Sequence, residues 1–164
     1  MQIGPALIAG SPDDASGRRF QPSGVSARGQ EGPDARCDVH LTLPASAANV
    51  VVIRRVIGTL AEAMRMSLVR VEDVKLAVTE ACTNVVRHAY PGEAQGGMLD
   101  VVANAAGTSL TIIVSDDGGG FQPRAGTGGP GLGLPLMAAI AREFEIEQDR
   151  VGGTRVRMSF PEAE

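Results

Sequence analysis

The chain has 164 residues, a length for one domain with a tail, and 43% of them are hydrophobic, enough to build a core. Aromatics make up only 3% and Trp is absent, so that core must be aliphatic, from Val, Leu, Ile, Ala and Met. A net charge of −4 leaves no basic stripe to neutralise phosphates, which argues against a nucleic-acid binder, and no apolar stretch approaches membrane-spanning length.

Residues 1–36 are rich in Gly, Pro, Ser, Asp and Arg without sustained periodicity and read as a disordered tail ahead of one domain over 37–164. Ile3–Gly10 is short and lacks a basic start, so it is a poor signal peptide. Two cysteines, Cys37 and Cys82, are too few for a disulfide framework and read as free thiols. A soluble cytoplasmic protein is the expectation. Asp38–Leu43 alternates as a short strand that Pro44 stops. Ser46 suits the N-cap of a helix carrying Val50, Ile53, Ile57 and Leu60 to about Met64. A second helix begins near Arg70–Val71 and runs to about Ala89, with Val74, Ala77, Val78, Ala81 and Val85 at helical spacing. Met98–Ala103 and Thr108–Ser115 are two strands joined near Ala106-Gly107. Gly118–Gly129 reads as a mobile loop, Gly131–Phe144 as a helix, and Phe144–Gln148 and Thr154–Phe160 as closing strands around Gly152-Gly153. The order βααββαββ predicts a two-layer α/β sandwich, a mixed sheet with helices on one face.

Three blocks carry chemistry: TEACTNVVRHAY at Thr79–Tyr90, VSDDGGGF at Val114–Phe121 and GPGLGL at Gly129–Leu134. In the first, Glu80 and Asn84 are four apart and share a helix face, to which Arg87 returns after about two turns. An Asn oxygen is a hard neutral ligand suited to Mg²⁺, a carboxylate one turn away can accept a hydroxyl proton, and a cation can stabilise phosphate charge. The same residues on a solvated helix face would be unremarked. His88, one turn beyond Asn84, is in reach of a phosphate or water, although a helix-end histidine more often satisfies a carboxylate or carbonyl.

In the second block, Asp116 caps a strand and can accept a hydrogen bond from an exocyclic amine such as that of adenine. Asp117 could take the same role, with spacing favouring Asp116. Gly118 and Gly120 let backbone approach a ring closely, or simply form a turn. In the third block, Gly131 and Gly133 flank Leu132 at a helix start, where free N–H groups favour anions. No Gly-Lys-Ser/Thr follows, so this is not a Walker loop. Thr154 opens the last strand, and its hydroxyl could line a base pocket or be an ordinary strand residue.

In this order the blocks resemble the N-box and the two glycine boxes of the GHKL ATPase superfamily, and TEACTNVVRHAY looks most like its anti-sigma-factor serine/threonine kinases of the RsbW and SpoIIAB type. The likeness covers roughly residues 38–161. It implies the Bergerat, or histidine-kinase-like, ATPase fold, with ATP and Mg²⁺ as cofactors. Residue by residue, it implies Asn84 as Mg²⁺ ligand, Glu80 as catalytic base and Arg87 as phosphate contact. It further implies Asp116 on the adenine amine, with Gly118 and Gly120 shaping the base pocket. Gly131 and Gly133 would end the ATP lid and Thr154 would lie near adenine. Kinases of this type dimerise, sequester a sigma factor and phosphorylate a serine on a STAS-domain anti-anti-sigma antagonist. The first helix would supply part of the dimer and sigma-binding surface, with Arg54 or Arg55 as a contact. The loop between Gly120 and Gly131 is short for a lid and carries Arg124. The alternative is therefore an ATP-binding regulatory module that switches partner affinity without phosphoryl transfer.

Overall fold

A computed structural model of the chain describes residues 26–29, 37–90, 96–119, 132–148 and 152–161. In chain order the elements are β1 (Ser26–Gly29), β2 (Cys37–Pro44), α1 (Ala47–Ala63), α2 (Leu68–His88), β3 (Met98–Ala106), β4 (Ser109–Asp116), α3 (Gly133–Ile140), β5 (Glu143–Gln148) and β6 (Thr154–Pro161). The sheet order is β1-β2-β3-β4-β6-β5.

Period-two alternation decides which side of the sheet is covered. Leu99, Val101, Ala103 and Ala105 of β3 are buried, as are Leu110, Ile112 and Val114 of β4 and Val156, Met158 and Phe160 of β6. Register aligns them in rows, Val101 beside Val114 beside Val156 and Ala103 beside Ile112 beside Met158. That face packs against Ile53, Ile57, Val74, Val78, Ala81 and Cys82 of the two long helices. The opposite face carries polar groups, among them His40, whose Nε2 lies 2.7 Å from the Asp100 carboxylate.

The helix starts are capped as their sequences demand. Ser46 Oγ accepts the Asn49 N–H and Ser67 Oγ accepts the Arg70 N–H, both at 3.3 Å. Between the helices, Arg65 sits in the left-handed region at φ 59. Lys75 of α2 pairs with Glu62 of α1 at 3.0 Å, and its stem occupies the space that a side chain at Gly58 would need.

Three expectations need correction. The two layers stand, but every strand pairing is antiparallel rather than mixed. With the two helices α1 and α2 between β2 and β3 the chain reverses three times, which returns β3 antiparallel to β2. The single crossover α3 would leave β5 parallel to β4, but β6 inserts between them. Next, four residues of the segment read as a tail form the strand β1, on the outer edge of β2. Ser-Ala-Arg-Gly has no strand pattern; an open sheet edge offers backbone partners whatever the side chains. The rest of 1–36 lies outside the described residues. Finally, α3 is shorter than Gly131–Phe144. Ala141 turns extended at ψ 144, and the Arg142 N–H reaches the Ser159 carbonyl at 2.9 Å, which draws the chain into the sheet.

Candidate functional site

The inward rows of the sheet do not end in hydrophobes. Asp116 continues the row Leu110–Ile112–Val114, opposite Leu99, and Thr154 continues the row Phe160–Met158–Val156. Both therefore lie on the side of the sheet that faces the helices. There the molecule opens into a cleft. Ala81, Asn84, Val85, His88 and Ala89 of α2 and its C-terminal end line one wall, Val114, Asp116, Thr154, Val156 and Ile146 the other, and Leu134 of α3 closes it. An apolar slot with one carboxylate, one hydroxyl, one amide and an imidazole at its rim suits a flat heterocycle.

The carboxylate is held by backbone. Asp116 Oδ1 accepts the Gly118 N–H at 3.0 Å. Burial raises the Asp116 pKa above its ordinary 3.8; the Gly118 and Thr154 N–H groups pull it down and neighbouring Asp117 pushes it up. Asp117 itself is exposed and turned to Tyr90, so of the two aspartates Asp116 is the one in the cleft.

Gly118 also packs closely on the protein's own backbone. A Cβ there would lie 2.2 Å from the Ala89 carbonyl oxygen, and Gly119 N–H donates to that oxygen at 2.9 Å. The start of the expected mobile loop is thus fastened to the C-terminal end of α2. Gly153, at φ +95, comes so close to Asp116 that a Cβ would lie 2.3 Å from its carbonyl oxygen. Backbone-to-backbone packing on both sides brings β4, β6 and α2 together at this point.

On α2, Glu80 and Asn84 lie one turn apart beside the first residue of α3. A Cβ on Gly133 would be 3.0 Å from Glu80 Oε2 and 3.8 Å from Asn84 Oδ1. The N-cap of α3, Leu132, makes no side-chain cap hydrogen bond, so no capping side chain claims the first N–H groups of α3. No group of three His, Cys, Asp or Glu side chains among the described residues could hold a metal ion. One Asn oxygen with a carboxylate nearby suits Mg²⁺, which takes its other ligands from phosphates and water.

The remaining candidates divide. His88 is exposed yet lines the cleft rim, whereas Arg87 is exposed and outside the lining. Leu132 is 62% exposed. Gly120, Gly131 and Arg124 lie outside the described residues. Sequence reading passed over Ile146, whose inward position on β5 follows from its pairing with Val156. Tyr90 was part of a block but had no role.

Comparison with known proteins agrees with this architecture. The chain matches the histidine kinase-like ATPase domain family over residues 43–160. It is 32% identical over 136 residues to the serine-protein kinase RsbW of Bacillus licheniformis, covering 74% of this chain and 83% of that one. The RsbW of Bacillus thuringiensis is 35% identical over 126 residues, covering 68% and 78%. Among solved structures, the RsbU and RsbW domains of a Mycobacterium tuberculosis protein superpose with a TM-score of 0.61 at 22% identity, covering 76% of this chain and 32% of that one. A histidine kinase domain of a blue-light activated kinase from Erythrobacter litoralis gives 0.50 at 20% identity, covering 73% and 62%. The chain spans about a third of the length of the mycobacterial structure. Among the described residues no helix is long and apolar enough to cross a membrane. With fold, motif order and identity in agreement, the chain belongs to the histidine kinase-like ATPase domain family, in its group of RsbW serine-protein kinases.

Proposed function

We propose that the chain is a Mg-ATP-dependent anti-sigma kinase, which binds a sigma factor and phosphorylates a serine on a STAS-domain anti-anti-sigma antagonist. The observation that carries this reading is the Glu80–Asn84 pair at the first residue of α3, on the same helix that floors the cleft holding Asp116 and Thr154. Adenine would lie in the apolar slot with its amine on Asp116 and Thr154 beside it. Asn84 would ligate Mg²⁺, which when bound offsets charge on the transferred phosphoryl group. Glu80 takes the proton of the acceptor serine. Arg87 and His88, at the exposed end of α2, supply positive or hydrogen-bonding groups toward the phosphates. Gly131 and Gly133 give the phosphates access to the start of α3, and Gly118 and Gly120 border the base.

The partner surface is assigned to the outer face of α1, where Val51 and Val52 are about half exposed. Arg55 is exposed there. Arg54 is less free, since its guanidinium reaches the Glu72 carboxylate at 3.5 Å and Thr79 Oγ1 at 3.3 Å. A cytoplasmic homodimer completes the proposal, by likeness to the RsbW relatives. The test is Glu80→Gln, assayed for ATP binding by calorimetry and for phosphoryl transfer to STAS-domain proteins. Retained binding with transfer abolished is the expected result. Loss of binding would make Glu80 structural, and a wild type that binds without transferring would favour the switch module.

A further inference from the structure

Tyr90 follows Ala89, the C-cap of α2, and its ring takes the space above Gly97, where a Cβ would lie 1.8 Å from the ring. Its phenol oxygen lies 2.6 Å from the Met98 carbonyl oxygen and 2.5 Å from Asp117 Oδ1, and it accepts the Asp117 N–H at 3.2 Å. A phenol has one proton, so the O–H donates to one of these two oxygens at a time. Burial and the hydrogen bond to Asp117 both push the Tyr90 pKa up, which keeps that proton in place. One residue before Tyr90, the Ala89 carbonyl accepts the Gly119 N–H. Two consecutive residues at the end of α2 thus grip the loop over Asp117–Gly119.

Asp116 enters this gripped loop directly, and its Oδ1 is fixed by the N–H of Gly118 inside it. We propose that Tyr90 is a positioning residue for purine selection: its clasp on Asp117 sets the aim of the Asp116 carboxylate into the cleft. This rests on the adenine-nucleotide reading of that cleft. A carboxylate accepts the 6-amino group of adenine, whereas guanine presents a 6-oxo oxygen, an acceptor against an acceptor. Rejection of the wrong base comes from leaving a desolvated polar group unpaired, and it weakens when that group can swing away. Loosening the clasp therefore costs ATP more than it costs GTP.

The experiment compares Mg-ATP and Mg-GTP binding to the full chain by calorimetry, for wild type, Tyr90→Phe, Asp117→Ala and the double variant. Melting curves show that each is folded at the assay temperature. Tyr90→Phe keeps the ring and removes the hydroxyl; it is expected to weaken ATP binding about tenfold and to narrow the ATP-over-GTP preference by a similar factor. Asp117→Ala keeps the backbone N–H and moves the preference in the same direction by less. The double variant falls no further than Tyr90→Phe alone, because both substitutions break one contact. A merely structural tyrosine would lower the melting temperature and leave the preference unchanged, which would overturn the proposal. If Tyr90→Phe does not fold, Asp117→Ala at its exposed site decides, and an unchanged preference there overturns it equally. A wild type that binds neither nucleotide overturns the adenine site and this inference together, an outcome separate from failure of the clasp alone.

Discussion

Gly118→Ala separates two reasons for a glycine at the mouth of the cleft. One is room for a ligand; the other is room for the protein's own backbone. Its backbone has no positive φ, so an alanine meets no conformational penalty of that kind. The cost is steric: the new Cβ would sit 2.2 Å from the Ala89 carbonyl oxygen, 2.7 Å from its carbon and 2.9 Å from its Cβ. These are mostly helix-end backbone atoms that cannot rotate aside, so loop and helix must part by roughly 1 Å. Separation breaks the Gly119–Ala89 hydrogen bond, a loss of about 1 kcal/mol, and adds an overpacking cost of about 1–3 kcal/mol. The expected destabilisation is about 2–4 kcal/mol, read as a lower urea midpoint at unchanged slope. The control is next door: a Cβ on Gly119 would find only the Ala89 oxygen, at 3.8 Å, and Gly119→Ala should stay within about 0.5 kcal/mol of wild type. Equal effects of the two substitutions would refute the packing argument. Lost ATP binding in Gly118→Ala with full stability would show that the glycine serves the ligand instead.

Asp116→Asn should lose selectivity for ATP while unfolding no more easily at neutral pH. Because burial raises the folded pKa, the native state binds more protons in that window and stability falls as pH rises through it; Asn removes this slope, so the two urea midpoints converge on acidification. Cys82 is buried and its thiol is pushed up to about 12, so in a Cys37→Ser background it should resist alkylation until denaturant is added; fast labelling of the native protein would contradict the buried placement. Ile146 is 36% exposed yet lines the cleft, so Ile146→Ala should weaken nucleotide binding by about three- to tenfold with a melting temperature within a few degrees of wild type. Unchanged binding would place the base elsewhere.

What could be read in advance was what period and capping encode. The apolar stripe Val74–Ala77–Val78–Ala81–Val85 marks a helix, and Ser46 marks the start of another, because these signals act within one or two turns. Asp116 and Thr154 were legible as strand-end polar residues, although nothing local says that both rows end at one cleft; that depends on β6 inserting between β4 and β5. The same long-range pairing decided the antiparallel sheet. β1 left no trace because edge pairing uses backbone alone. The close packing of Gly118 on Ala89 has no local signal either, because the contact spans 29 positions of sequence. Ile146 looked like any strand hydrophobe, and only its register with Val156 places it at the cleft.

One helix joins the two ends of the site. The buried stripe of α2 anchors it to the sheet, its polar face carries Glu80 and Asn84, and the Ala89 carbonyl at its C-cap holds the loop that follows Asp116. Glu80 and Ala89 are nine residues apart, which at the helical rise is about 13 Å. In the proposed site the carboxylate that takes the acceptor proton and the loop beside the base would thus be held at a fixed separation by one element. A helix packed along its length is the local structure that keeps such a separation rigid, which is why the first block is long and continuous while the glycine blocks are short.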